Sequence, residues 1–275
     1  MKLALAFLSI SAIAQTSLWT EELTAQEVRD AVKSGKTTIV IGTGGVEQNG
    51  PYTAGGKHNF VLQTVMPYIG KAIGNTLLAP IVKFVPEGDI DPKPSGHMLH
   101  AGTISVEQAT FEALLTDICR SYKTHGFTDI ILIGESGGNQ TGMANVAKKL
   151  NERWSAEKAR GHFLAEYYSE DMWSYDFLKK RGIVQIDRTP PPGKQPDHAW
   201  HTRNGIHDDV HYEAMIAVQD PTLIRAQQRL KSGDFSLHGV DLKPLQKTIQ
   251  LGRDLAEYRA QITARAFARS KAAMK

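Results

Sequence analysis

Residues 39–59 read IVIGTGGVEQNGPYTAGGKHN, and this stretch decides the fold. Ile39, Val40 and Ile41 form an apolar, β-branched run that breaks into glycines, which is the pattern of a buried strand ending at a sheet edge. In an open α/β sheet the edge formed by strand C-termini is where ligands bind. The side chains delivered there are Glu47, Gln48, Asn49 and His58. A carboxylate and an imidazole are ligand types for Zn²⁺ and related cations, so Glu47 and His58 are candidate metal ligands.

The same alternation continues outward from this stretch. Upstream, Thr24-Ala25-Gln26-Glu27 has the capping-box pattern, Val28, Ala31 and Val32 follow at helical spacing, and Ser34-Gly35 stops the helix. The first strand is expected from Thr37 to Ile41. Downstream, the pattern predicts a helix over Asn59 to Ile73 with a kink at Pro67, then a strand from Leu77 to Val85 entering the loop PEGDIDPKPSG. A helix from Val106 to Tyr122, a nearly pure Ile/Leu strand from Asp129 to Ile133 and a helix to about Trp154 complete this half. Phe163 to Tyr167 reads as a further strand, and Leu245 to about Ala268 as a long amphipathic helix with a basic exposed face. Strand, glycine-rich turn, helix, strand is the order of an α/β protein whose largely parallel sheet is covered on both faces. Without an internal repeat or low-complexity linker, one domain suffices.

Of the 275 residues, 41% are hydrophobic and 22% charged, which excludes the disordered and fibrous classes. A formal charge of +3, with no basic cluster interleaved with aromatics, gives no reason to expect a nucleic-acid partner. The N-terminal MKLALAFLSISAIAQ sets Lys2 before a short apolar run ending in Ala12-Ile13-Ala14. This reads as a signal peptide, residues 1–14, followed by a mature domain over 15–275 that is periplasmic or secreted. The run is shorter than the ~20 residues of a bilayer span, and no later segment is longer, so no membrane span is expected in the mature chain. The single cysteine, Cys119, shares helical spacing with Phe111, Leu114, Leu115 and Ile118 and reads as a buried small hydrophobe.

Three clusters could carry chemistry. Glu47, Gln48, Asn49 and His58 are the first; Glu135, Ser136 and Asn139 the second; His207, Asp208, Asp209, His211 and Glu213 the third. If residues 207–213 are extended, His207, Asp209, His211 and Glu213 share one face; if helical, only the pairs 207/211 and 209/213 do. Gly134-Glu135-Ser136-Gly137-Gly138 also fits the G-x-S-x-G elbow between a strand and a helix, so a serine hydrolase using Ser136 is an alternative.

Taken together, these residues suggest a family. VEQNGPYTAGGKHN resembles the creatininase (creatinine amidohydrolase) pattern E-Q-H-G-P-H-L-P-x-x-T-D, GHMLHAGTISV resembles its E-H-x-x-F-P-G-T-I-S block, and LIGESGGNQ resembles its N-G-H-G-G-N turn. Gly205-Ile206-His207 with Glu213 is a weaker match to the H-A-G-x-x-E-T segment. The resemblance implies a three-layer α/β/α sandwich, a centre of Zn²⁺ or Mn²⁺, hydrolysis of a small-molecule amide or cyclic amide, and a homo-oligomer. It makes Glu47 a carboxylate ligand and His207 the catalytic histidine, and it places His97 in the substrate pocket. Asn49, however, stands where the family has a metal-binding His, His58 where it has the bridging Asp, and Ser136 where it has another His. A single ion is therefore expected, held by Glu47 and His58 with a third ligand from Glu135, Asp209, His211 or Glu213. Glu135 and Ser136 are the further catalytic candidates, and Asn49 and Asn139 join His97 as pocket residues. The implied reaction is C–N hydrolysis other than that of creatinine. A binding protein that kept the pocket and lost the metal is the remaining alternative.

Overall fold

The computed structural model describes residues 17–169, 172–185 and 208–274; the expected signal segment, residues 1–14, and His207 lie outside them. Four strands, β1 (Thr38–Thr43), β2 (Thr76–Leu78), β3 (Asp129–Gly134) and β4 (Arg160–Phe163), pair in parallel in the order β2-β1-β3-β4. Side chains alternate across the sheet, and both faces are covered. Ile39, Ile41, Ile130 and Leu132 join the core that includes Phe111 and Leu115 of α3 (Gln108–Thr124) and Val146 and Leu150 of α4 (Gly137–Arg153). Val40, Ile131 and Ile133 join the opposite core, with Val61 and Val65 of α2 (Lys57–Ile73). Three helices pack on one another in that layer: α2, α7 (Val210–Gln219) and the terminal α9 (Leu245–Ala273). The result is a three-layer α/β/α sandwich in which each fully buried Ile, Leu or Val contributes roughly 1.5–3 kcal/mol.

The remaining described elements are short. On the chain's N-terminal side, α1 (Ala25–Lys33) starts at the capping box, with Thr24 and Glu27 bonded reciprocally. Helices α5 (Glu166–Ser169) and α6 (Met172–Lys179) follow β4, α8 (Ala226–Ser232) follows α7, and the pair β5 (Ser236–Leu237) and β6 (Val240–Asp241) precedes α9.

Two expected elements shift. The strand expected over Leu77 to Val85 is only Thr76–Leu78, followed by an isolated bridge of Val82 to Thr43. The ladder to β1 slips there: Ala79 N–H donates to the Val40 carbonyl, and the next bond, to Gly42, comes from Val82, one residue later than a regular strand would give. The strand expected over Phe163 to Tyr167 is instead Arg160–Phe163, and Tyr167 lies in a helix. Gly161 and His162 conceal it in the sequence. His162 is buried in the strand because its ring bonds Asp129 Oδ1 at 3.2 Å and Ser270 Oγ at 2.9 Å. Pro67 lies inside α2, which runs on past it to Ile73. Cys119 is buried as expected, and burial pushes its thiol up to about 12; the native protein should accordingly leave a thiol reagent unconsumed until it is denatured.

The strand order also fixes where a ligand binds. The chain leaves β1 toward β2 on one side and returns to β3 on the other, so β1 and β3 flank a switch point at their C-terminal ends. Glu47 follows β1 and Glu135 follows β3.

Candidate metal centre

A cavity of about 770 Å³ opens at this switch point, and Glu47, His58, Glu87, His97, Glu135 and Ser136 are among its lining. Glu47 is buried, and its two oxygens face different partners. Oε1 lies 3.0 Å from His58 Nε2 and 3.1 Å from Lys57 Nζ, while Oε2 lies 3.1 Å from His97 Nε2. Burial opposes charge on Glu47, but Lys57, His58 and His97 outweigh it and hold the carboxyl well below its usual range.

Glu87 completes a group that the sequence did not disclose. One ligand atom from each of Glu47, Glu87 and His97 lies within 4.8 Å of the others. Local hydrogen bonding produces this meeting. The His97 N–H donates to the Glu87 carbonyl at 2.9 Å, closing the 87–97 loop at its ends, and Glu87 N–H donates to Ser105 Oγ at 2.9 Å. Burial, then the neighbouring charge of Glu47, pushes the Glu87 carboxyl up to about 8. The signal was present: Glu87 follows the apolar run Ile81 to Val85 as Glu47 and Glu135 follow theirs. It was passed over because it falls inside the polar loop PEGDIDPKPSG, which also carries two aspartates.

Glu135 occupies the far side of His58. Its Oε1 is 2.6 Å from Arg259 Nη1 and accepts from the Tyr167 hydroxyl, and its Oε2 lies 3.9 Å from His58 Nδ1. Burial opposes its charge, yet Arg259 and then His58 keep its pKa lowered. Burial and the Lys57 charge oppose protonation of His58, but Glu47 and Glu135 prevail and raise it.

Asp209 and His211 line the same cavity outside the close trio. Asp209 is the residue before α7, and its Oδ2 accepts from Tyr175 at 3.4 Å. Burial, then Arg259, pushes His211 down to about 3, so its imidazole is neutral. The structure takes the other expected residues elsewhere. Residues 210–219 are helical, which turns Glu213 away from the cavity: its Oε2 is 2.7 Å from Arg229 Nη1, both side chains fully buried. Asn49 donates to the Glu47 carbonyl at 3.0 Å and holds its own loop, and Asn139 donates to the carbonyls of Thr43 and Gly44 at 3.1 and 2.9 Å. Neither amide lines the cavity: Asn49 braces the backbone of Glu47, and Asn139 braces the end of β1.

Ser136 lines the cavity, but its backbone is relaxed and extended, φ −105° and ψ 147°, without the strain of a nucleophile elbow. Its hydroxyl donates to Glu87 Oε2 at 3.2 Å, and among the described residues no imidazole bonds to it.

The fold and site define an α/β domain with a carboxylate–imidazole centre at the carboxyl edge of a parallel sheet. The chain belongs to the creatininase family: the family model described as creatinine amidohydrolase matches residues 21–260. Among solved structures, a creatinine amidohydrolase (creatininase) is 18% identical with a TM-score of 0.59, covering 93% of this chain and 98% of its own. A Zn–Zn type creatininase variant is likewise 18% identical over 93% and 98%, with a TM-score of 0.53. A manganese creatininase, 18% identical over 92% and 98%, also gives 0.53. At such identity these likenesses establish the fold. No curated protein matches the chain.

Proposed function

We propose that this protein hydrolyses a C–N bond, amide or cyclic amide, in a small molecule other than creatinine, using one divalent cation, Zn²⁺ or Mn²⁺. The observation that carries the reading is the convergence of Glu47, Glu87 and His97 at the switch point. The donors fit such an ion. Carboxylate oxygen and imidazole nitrogen are ligands both metals accept, and Glu87 Oε1 is a buried oxygen with no hydrogen-bond partner. A Cβ at Gly45 would lie 2.0 Å from that oxygen, so glycine there keeps its place open. When bound, the cation supplies Lewis-acid polarisation of the scissile carbonyl and water acidic enough to attack near neutral pH.

The chain's own groups manage protons and position. His58, its pKa raised by the carboxylates of Glu47 and Glu135 against burial and the Lys57 charge, is placed to pass a proton to the departing nitrogen. Glu135, fixed by Arg259, holds His58 on its other side, and Ser136 orients Glu87. His207 remains the second candidate for proton transfer on the strength of the family pattern. Neutral His211 presents an imidazole to substrate without adding charge.

Metal analysis tests this reading. Protein purified without chelator should carry one Zn or Mn per chain, and Glu87→Ala should lose it; a metal-free parent would sink the proposal. Labelling of Ser136 by an organophosphonate would favour the serine hydrolase instead.

A pH dependence follows from Glu87. With a pKa of about 8 it is protonated at pH 7 in the metal-free protein, and a cation must displace that proton. Metal affinity should climb as pH rises toward 8 and flatten above it. Calorimetry in two buffers of different ionisation heat should find about one proton released at pH 7; no release would mean that Glu87 is not a ligand.

We also propose export with cleavage before Gln15 and a homo-oligomer in solution. Intact mass and fractionation of the protein from its host would decide the first, and sedimentation the second. No helix among the described residues is long and apolar enough to cross a membrane.

A further inference from the structure

The residue before His58 occupies an unusual position for its type. Lys57 is the first residue of α2, only 1% exposed, and lines the cavity. Its Nζ lies 3.1 Å from Glu47 Oε1 and 4.6 Å from the centroid of the Tyr212 ring. Burying a lysine is costly unless a carboxylate answers it, and an aromatic face adds a further attraction. Here that cost is met at the cavity wall, beside a proposed ligand.

We propose that Lys57 is the second cation of this centre: one metal ion and one ammonium share the Glu47 carboxylate. The two oxygens of Glu47 divide accordingly. Oε1 faces Lys57, and Oε2 faces His97 of the candidate metal trio. In a two-metal site a pair of cations flanks the reacting group and stabilises its developing charge. Here His58 stands where the family pattern has its bridging carboxylate, and Lys57 immediately before it places a protein cation against Glu47 instead.

Charge points the same way. A dication with Glu47 and Glu87 ionised is balanced, and Lys57 adds one positive charge. A second dication would stand beside a buried ammonium, and the remaining carboxylates of the cavity are engaged elsewhere: Glu135 by Arg259, and Asp209, outside the close trio, by the Tyr175 hydroxyl. Lys57 therefore limits the centre to one ion and faces the oxygen of a bound amide, where negative charge develops.

This inference rests on the metal-dependent reading, and metal titration separates the two. Cobalt(II) or zinc is titrated into the chelator-treated full chain and into Lys57→Met, Lys57→Arg and Lys57→Met/His58→Asp, with stoichiometry and affinity read by calorimetry. The parent should bind one equivalent. Lys57→Met, which removes the charge at similar size, should bind its ion at least about tenfold tighter. Lys57→Arg, which keeps the charge, should stay within about threefold of the parent. The double variant, lacking the ammonium and regaining a bridging carboxylate, should take two equivalents. Two equivalents in the parent, or unchanged or weaker binding in Lys57→Met, would overturn the role of Lys57 while leaving the hydrolase standing. No binding in the parent would remove both. Should Lys57→Met not fold, parent stoichiometry and Lys57→Gln decide.

Discussion

Glu47→Gln should cost the protein its metal and its hydrolysis together. The substitution keeps shape and an oxygen that can accept from Lys57, but it removes the charge that Lys57, His58 and His97 all address. A neutral amide oxygen is a poor ligand for Zn²⁺ or Mn²⁺, and Lewis-acid stabilisation worth several kcal/mol disappears with the ion. The expected loss in kcat/KM is on the order of 10³-fold or more, with metal content near zero. Both are measurable once a panel of small amides has identified a substrate, and metal content is measurable before that. A Glu47→Gln protein that retains stoichiometric metal would show that Glu47 is not a ligand.

Arg259→Met should produce the largest change in stability. Arg259 Nη1 is 2.6 Å from Glu135, its Nη2 donates to the Tyr167 carbonyl at 3.0 Å, and its guanidinium carbon lies 3.9 Å from the centroid of the Tyr167 ring. Both members of the ion pair are buried. Removing one partner of such a pair leaves an uncompensated charge and costs about 3–5 kcal/mol. At ~2–4 °C per kcal/mol for a chain of this size, the Tm should fall by roughly 10 °C at neutral pH.

The pH dependence distinguishes a lost counter-ion from lost packing. In the parent, the folded pKa of Glu135 is lowered, so the pair's stabilisation is present above the ordinary carboxylate pKa and is lost as pH falls through the folded value. In Arg259→Met the same burial raises the pKa of Glu135, and protonation removes the need for a partner. The deficit should therefore be greatest near pH 7.5 and shrink toward pH 5. Adding Glu135→Gln should recover part of it at pH 7.5. A deficit constant across this range would mean that Arg259 serves by packing alone.

These residues also show how far the sequence could be read. The sheet was legible because β1 and β3 are apolar runs buried on both faces, and helices of regular spacing lie between them. β4 was misplaced because His162 reads as polar, whereas Asp129 and Ser270, far away in sequence, satisfy it inside the core. Glu47, His58 and Glu135 were legible as carboxylate and imidazole just past strand or turn signals. Glu213 was equally conspicuous, yet one turn of helix directs it to Arg229.

By itself, then, the sequence determined the α/β alternation and the sheet edge at which chemistry would collect, since local periodicity and glycine placement act over neighbouring residues; the family came from the resemblance of its motif blocks. Tertiary structure alone decided which side chains meet there. Glu87 reaches Glu47 through a loop closed by the His97 N–H, and Arg259 reaches Glu135 from the terminal helix. The IVIGTGGVEQNGPYTAGGKHN stretch supplies Glu47, Lys57 and His58, but their charges are set by partners brought from elsewhere in the chain. In a buried site a group's charge depends on what stands within a few ångströms, and that distance is a property of the folded chain.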